Sequence, residues 1–498
     1  MGSYITFPEL LIWLPLLAGI LCFFTKNGQT AKSLALIFSL VILGISAVSL
    51  FYTGTKYATW NGVNYFYPNN IGNTFFVALD GTGRLLTFLT ALAFPIIFIA
   101  GYKTNYKNTA SFFGLMLLTQ SGLMGVFCAM DALLFYFFWE LALIPVYFLC
   151  SKWGGEKRIQ TTFKFFVYTF TGSLLMLVGI IYVYLHTTGR IFEDGTQTVH
   201  SFALNSFYNA TLSASEQNWL FWLFFIAFAV KMPVFPFHTW QPDTYDQSPT
   251  SVTMVLSGIM VKMGLFGVIR WLIPIFPLAT VRFSHIVMIL SIIGIIYASC
   301  IAIVQDNLKK LVAYSSIAHI GLMCVAIFAM NKLSVQGVML QMFNHGINII
   351  GLWIVVDLLE KQTGVKQISK LGGVANKAPV LTIMLVIIAL ANIALPLTNA
   401  FTGEFLMFSG LYKFNVWYAA VAGTGIILAA VYTLNMIQKV FYGSTGSITD
   451  AVKDISWNEK FILGFIVCLI FIIGIYPQPV IDLTKEAVTL LVTKIKQF

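Results

Sequence analysis

Apolar stretches of bilayer-crossing length recur from one end of the chain to the other, separated by short polar turns. They fall at residues 8–24, 34–54, 84–101, 110–129, 132–150, 163–185, 218–237, 250–273, 284–304, 311–330, 338–358, 379–412, 416–437 and 459–477. The 379–412 stretch is too long for one straight helix and contains Pro396, so it counts as one broken span in a total of fourteen. The pattern predicts an all-α polytopic membrane protein, a single membrane domain over 1–498. The longest polar connections, 55–83 and 186–217, are too short for a separate folded unit. Alternation in TGTKYATWNGVNYFYP (53–68) suggests a pair of strands there. The start, MGSYITFPELLIWLPLLAG, has neither a basic n-region nor a small-residue cleavage site and reads as a first membrane helix.

Composition points the same way. Of the 498 residues 58% are hydrophobic and 10% charged, against about 25% charged in a globular protein, which excludes a soluble multidomain enzyme. A net charge of +10 would suggest nucleic acid in a soluble chain. Here the Lys and Arg flank apolar runs, as residues facing anionic headgroups do. One set of short loops holds Lys26, Lys32, Lys103, Lys107, Lys152, Lys157 and Arg158, while the opposite set holds Lys56, Arg190, Arg282 and Lys332. This bias puts both termini outside. The six cysteines have no CxxC or Cys/His spacing, which favours packing over an iron–sulfur or zinc site.

Within this apolar background a few ionisable residues carry the candidate chemistry. Lys231 ends the run NWLFWLFFIAFAVK, with Pro233 and Pro236 just behind it. An ammonium at membrane depth costs about 2.5–3.5 kcal/mol on insertion scales, and such residues usually line an ion or proton path. A helix broken by proline at that depth must face protein or a water-filled cavity. Glu140 sits in LLFYFFWELALIPVYFLC, either as a helix–helix hydrogen-bonding group or as the partner of Lys231, each offsetting the other's desolvation. Lys262 is central in SVTMVLSGIMVKMGLFGVIRW, too far from either end to snorkel easily, whereas Arg270 in the same run can. His319 and His345 lie on consecutive spans, and three readings stand for them: structural histidines, a haem axial pair, or a proton relay with Ser315 and Ser316 nearby. Glu404 follows the Pro396 break, as a relay carboxylate or as a helix cap. The breaks at Lys231–Pro233 and Leu395–Pro396 occur five spans apart, which suggests inverted repeats with a site at the midplane. No nucleotide-binding glycine loop, catalytic triad or metal-ligand cluster is visible.

Long ordered strings carry a resemblance over about residues 80–440: FFWELALIPVYFL around Glu140, KMPVFPFHTWQPDTYDQSPTSVTMVLSGIMVKMGLFGVIRW, QDNLKKLVAYSSIAHIG, NHGINIIGLW and ALPLTNAFTGEF. The chain resembles the antiporter-like membrane subunits of respiratory complex I (NADH–quinone oxidoreductase) and of Mrp-type cation/proton antiporters. Glu404 and the short C-terminal tail resemble the M branch rather than the L and N branches. The resemblance implies fourteen helices and two inverted five-helix repeats, so that 1–109 hold helices 1–3, 110–273 and 284–437 the repeats, and 459–498 the last helix and tail. It implies Glu140 and Lys231 as a coupling pair, Lys262, His319 and His345 as a water-linked relay, and Glu404 as the exit residue. It also implies a bacterial inner-membrane setting, the L, N and small membrane subunits as partners, and no cofactor or metal in this chain, with NAD, FMN, Fe–S clusters and quinone in partner subunits. Departures are Gln241 for a usual leucine, Tyr245 for a usual histidine, Asp357 for a small residue, and Leu397 and Asn399 for glycines. Rival readings are an Mrp-type Na⁺/H⁺ antiporter subunit, a hydrogenase membrane arm and a membrane cytochrome.

Overall fold

The computed structural model describes residues 6–51, 59–60, 75–189 and 200–495. Helices Phe7–Phe23 (α1), Gly28–Phe51 (α2), Gly81–Ala100 (α3), Thr109–Cys128 (α4), Ala132–Trp153 (α5) and Arg158–Leu185 (α6) come first. The short Leu204–Tyr208 (α7), then Ala214–Lys231 (α8) and Gln241–Gln247 (α9), lead into the long helix Thr250–Leu272 (α10). Pro277–Val304 (α11), Leu308–Phe328 (α12), Lys332–Thr363 (α13) and the single turn Val374–Lys377 (α14) follow. The last helices are Pro379–Asn392 (α15), Asn399–Phe414 (α16), Val416–Phe441 (α17), Trp457–Ile475 (α18) and Gln478–Ile495 (α19). Eleven described helices are long and apolar enough to cross a membrane.

Burial sorts these helices into a centre and a rim. The apolar window of α10 is wholly buried, and α12 and α13 are nearly so, whereas α2 and α18 keep most of theirs facing outward. Large apolar side chains such as Ile37, Phe137, Ile289, Ile427 and Phe461 are exposed on rim helices. Lipid is as apolar as they are, so nothing drives them inward, and the polar side chains take the centre instead. Glycine lets the central helices touch. A Cβ on Gly346 of α13 would lie 3.0 Å from the carbonyl oxygen of Gly258 on α10, and one on Gly258 would lie 2.9 Å from Ile350.

Two chain breaks and two π turns interrupt the helices. α8 ends at Lys231 and the chain turns through Pro233 and Pro236 before α9, because neither proline can extend the hydrogen-bond ladder. α15 ends at Asn392 and α16 begins at Asn399, with Ala394 (φ 58°) and Leu397 (φ 71°) both left-handed. Within α10, Leu256–Met260 and Val268–Leu272 are π-helical.

In the 53–68 stretch, Thr59–Trp60 forms a strand that pairs antiparallel with Val77–Ala78. The rest of the stretch, with Lys56, and Arg190 in the other long connection lie outside the described residues. The tail after the last apolar span is an amphipathic helix, α19, whose Val488, Leu491, Val492 and Ile495 are buried. Its Thr484 and the Ile481 carbonyl accept from the Gln336 amide of α13 at 2.7 and 3.3 Å.

Candidate functional site

The close approach of α10 and α13 puts Lys262 against His345. The Lys262 ammonium is fully buried and lies 2.8 Å from His345 Nδ1. It also donates to the Ser257 carbonyl at 2.9 Å. Ser257 lies in the first π turn, where the backbone hydrogen bonds run i→i+5 instead of i→i+4. When Lys262 is charged it only donates, so His345 Nδ1 accepts and the ring proton is on Nε2. The His345 and His319 rings then stand 5.8 Å apart between centroids. His319 Nδ1 lies 3.3 Å from Glu404 Oε1, which also accepts from the Gln341 amide at 3.2 Å.

Lys262, His345, His319 and Glu404, read from four separate spans, thus form one line through the core. Both ring nitrogens of His319 are engaged, by Glu404 and Asn392, and His345 Nδ1 by Lys262. A haem held by this pair would have to displace a partner of His319.

Lys231 and Glu140 are placed differently. They interact through space, but they do not form an ion pair within 4.0 Å. The Lys231 ammonium lies 5.5 Å from the centre of the Trp139 ring, the residue beside Glu140 on α5. It has no hydrogen-bond partner among the described residues. Glu140 is half-buried and interacts with Ser173 of α6 as well as with Lys231. Direct mutual contact, expected from their charges, is therefore absent in this arrangement, and the aromatic face takes part of the ammonium's field. Arg270 is buried, not snorkelling, and pairs with Asp80 at the N-cap of α3.

Sequence reasoning missed the neutral polar members. Gln341, Asn344, His345 and Asn348 on α13 follow a helical i, i+3, i+4, i+7 spacing, and that polar stripe on an otherwise apolar helix was the available signal. Asn344 donates to the Asn399 carbonyl at 2.7 Å, and Asn348 and Asn399 exchange amide hydrogen bonds at 3.0 Å. Asn399, in a place where glycine was expected, thereby ties the start of α16 to α13.

A second charged group gathers where α9 meets the starts of α6 and α12. Asp243 bridges Lys164 and Lys310, both at 3.1 Å. Burial works against its charge, but the two lysines outweigh that and hold its pKa below the usual carboxylate value. Asp246 accepts from Asn307 at 2.9 Å and pairs with Lys366, and Asp357 pairs with Lys361. Nearby, Gln241 donates to the Ala313 carbonyl, and Tyr245 is fully buried between Trp240 and Trp353. Among the described residues no group of three His, Cys, Asp or Glu is arranged to hold a metal.

The profile of the family described as "NADH:quinone oxidoreductase/Mrp antiporter, TM" matches residues 129–429. NADH-quinone oxidoreductase subunit M of Rickettsia prowazekii (strain Madrid E) is 36% identical over 493 residues, covering 97% of this chain and 98% of that protein. The chain belongs to the NADH-quinone oxidoreductase subunit M family. The Escherichia coli (strain K12) subunit M is 31% identical, with 96% of both chains covered. Among solved structures, a chain of respiratory complex I from Thermus thermophilus with bound NADH matches with a TM-score of 0.86 at 26% identity, covering 97% of this chain and 99% of that one. A chain of the Mrp complex from Dietzia sp. DQ12-45-1b matches at 0.83 with 16% identity, covering 98% and 99%, which shows a shared fold. As a subunit M family member this is a multi-pass membrane protein, and the line from Lys262 to Glu404 lies within the matched region.

Proposed function

We propose that this chain is the proton-translocating antiporter-like membrane subunit of an NADH–quinone oxidoreductase. It carries no redox chemistry itself; NAD, FMN, Fe–S clusters and quinone are assigned to partner subunits, with the L-, N- and small membrane subunits as neighbours. The observation that carries the reading is the buried line from Lys262 through His345 and His319 to Glu404. Lys262 passes a proton to His345 Nδ1, and His345 releases the one on Nε2 towards His319. A bridging water spans a gap of that size. Glu404 is the exit carboxylate. Glu140 and Lys231 form the coupling pair at the other end, their separation setting how strongly each favours the other's charge.

The finer architecture belongs to the same proposal. Fourteen spans are counted when α8 and the α15–α16 pair are each taken as one broken crossing. The interruptions after Lys231 and Asn392 support two inverted repeats at 110–273 and 284–437. Lysine-rich loops support a bacterial inner-membrane orientation with both termini outside. A second reading, Na⁺/H⁺ exchange, is favoured by the family profile that spans both groups and by the Mrp likeness.

The test is Lys262→Ala in the assembled complex, with quinone reduction and proton uptake followed together. The expected outcome is a lower ratio of protons to electrons with quinone reduction still present; an unchanged ratio removes the relay reading. A sodium requirement for proton movement selects the second reading.

A further inference from the structure

His319 is held on its far side by a neutral chain that the relay reading does not use. The Asn392 amide Nδ2 lies 3.2 Å from His319 Nε2 and 3.4 Å from Ser315 Oγ. Ser315 Oγ in turn accepts from the Tyr432 hydroxyl at 3.0 Å. All four side chains are buried, and they come from three elements: α12 carries Ser315 and His319, α15 ends at Asn392, and α17 carries Tyr432. Asn392 is the last residue of α15 before the break, so its side chain is aimed by a helix end.

An amide NH₂ group only donates, so the imidazole nitrogen facing it must accept. His319 Nε2 is then bare and the proton of the neutral ring is on Nδ1, pointing at Glu404. We propose that Asn392 is a positioning residue of the relay, whose amide, seated by Ser315 and Tyr432, fixes His319 in the tautomer that offers its proton to Glu404. This rests on the relay reading above.

The proton balance requires the amide to turn. As the amide NH₂ swings off Nε2, His319 takes a proton there and becomes an imidazolium. It gives its Nδ1 proton to the Glu404 carboxylate and is left with a proton on Nε2. That N–H now needs an acceptor, which Asn392 supplies by rotating its carbonyl oxygen inward. Ser315 then donates to that oxygen instead of accepting from the amide, because a hydroxyl does either. The remaining groups facing this pair are His345, with Lys262 behind it, and Gln341 on Glu404. A crevice of about 20 Å³, lined by His319, Glu404 and Tyr432, is large enough for about one water beside them.

The experiment measures protons moved per electron in membrane vesicles carrying the assembled complex, with subunit content and uncoupled quinone reduction as controls. Asn392→Leu removes both halves of the amide, and Asn392→Asp only accepts in its ionised form, which favours the other tautomer. Both are expected to lower the ratio towards that of His319→Ala, with subunit content maintained. Asn392→Gln keeps a donor and an acceptor and is expected to retain more than either. A wild-type ratio in Asn392→Leu overturns the proposal, as do equal losses in all three variants, which would mark a packing role. If His319→Ala itself pumps at the wild-type ratio, it is the relay reading that fails.

Discussion

Arg270 lies near the end of α10, where a long side chain could reach the headgroups, yet its guanidinium turns inward to Asp80 and to the Met130 sulfur. Asp80 also caps α3 by accepting from the Gly83 amide at 2.8 Å, so one carboxylate serves a helix end and a buried cation. Removing its charge leaves Arg270 buried with a weaker partner. Asp80→Asn is expected to destabilise the protein by about 1 kcal/mol, because Arg270 is buried while the Asp80 carboxylate is partly exposed. The loss is read as a lower unfolding temperature of the purified complex, with the subunit still inserted. The buried line from Lys262 to Glu404 shows the limit of reading residues singly. Lys262, His319, His345 and Glu404 were each conspicuous as charges in apolar runs, but Asn392 and Gln341, which hold two of them, carry no charge and drew no notice.

The two interrupted elements differ in how they are built. After α8 the prolines themselves stop the ladder. After α15 the chain places Ala394 and Leu397 in left-handed conformations that cost a residue with a Cβ roughly 1–2 kcal/mol each. Leu397 is exposed, so it has little packing to lose. Leu397→Gly is therefore expected to raise stability by about 1 kcal/mol, less the entropy that glycine adds to the unfolded chain. Thermal unfolding checks it, and a fall in stability would contradict the strain argument. The short helix α9 gives a pH prediction. The Asp243 pKa is lower in the fold than unfolded, so its contribution to stability is complete above the ordinary carboxylate value, near about 4, and is lost as pH falls below it. Asp243→Asn should flatten the acid side of the stability profile and lower neutral stability by the same amount, a small one since the group is partly exposed.

At the scale of the whole molecule, the membrane-depth polar residues gather at the centre, while apolar side chains fill both the core and the rim, as expected where the surroundings are lipid. α19 is the exception, an amphipathic helix laid against α3 and α13 with Leu490 exposed and Leu491 and Val492 buried. Deleting Gln478–Ile495 uncovers that apolar face and removes the Gln336 hydrogen bonds. The expected result is a several-fold lower amount of this subunit in assembled complexes on a native gel. An unchanged amount would show that α19 is dispensable for assembly.

The chain alone determined that it enters a membrane, where its apolar helices lie and which charges are costly enough to need a purpose. Those properties are local: length, hydropathy and proline act within one segment, and a buried charge is costly whatever its neighbours. Which charges touch was decided only by packing. The Gly258–Gly346 approach brings Lys262 to His345 and the Ser257 carbonyl holds its ammonium, while a tryptophan face, and not direct contact with Glu140, receives Lys231. Hydrogen bonds act over about 3 Å, and helix periodicity gives a residue's face without its distance from the next helix. Only the folded chain supplies that distance.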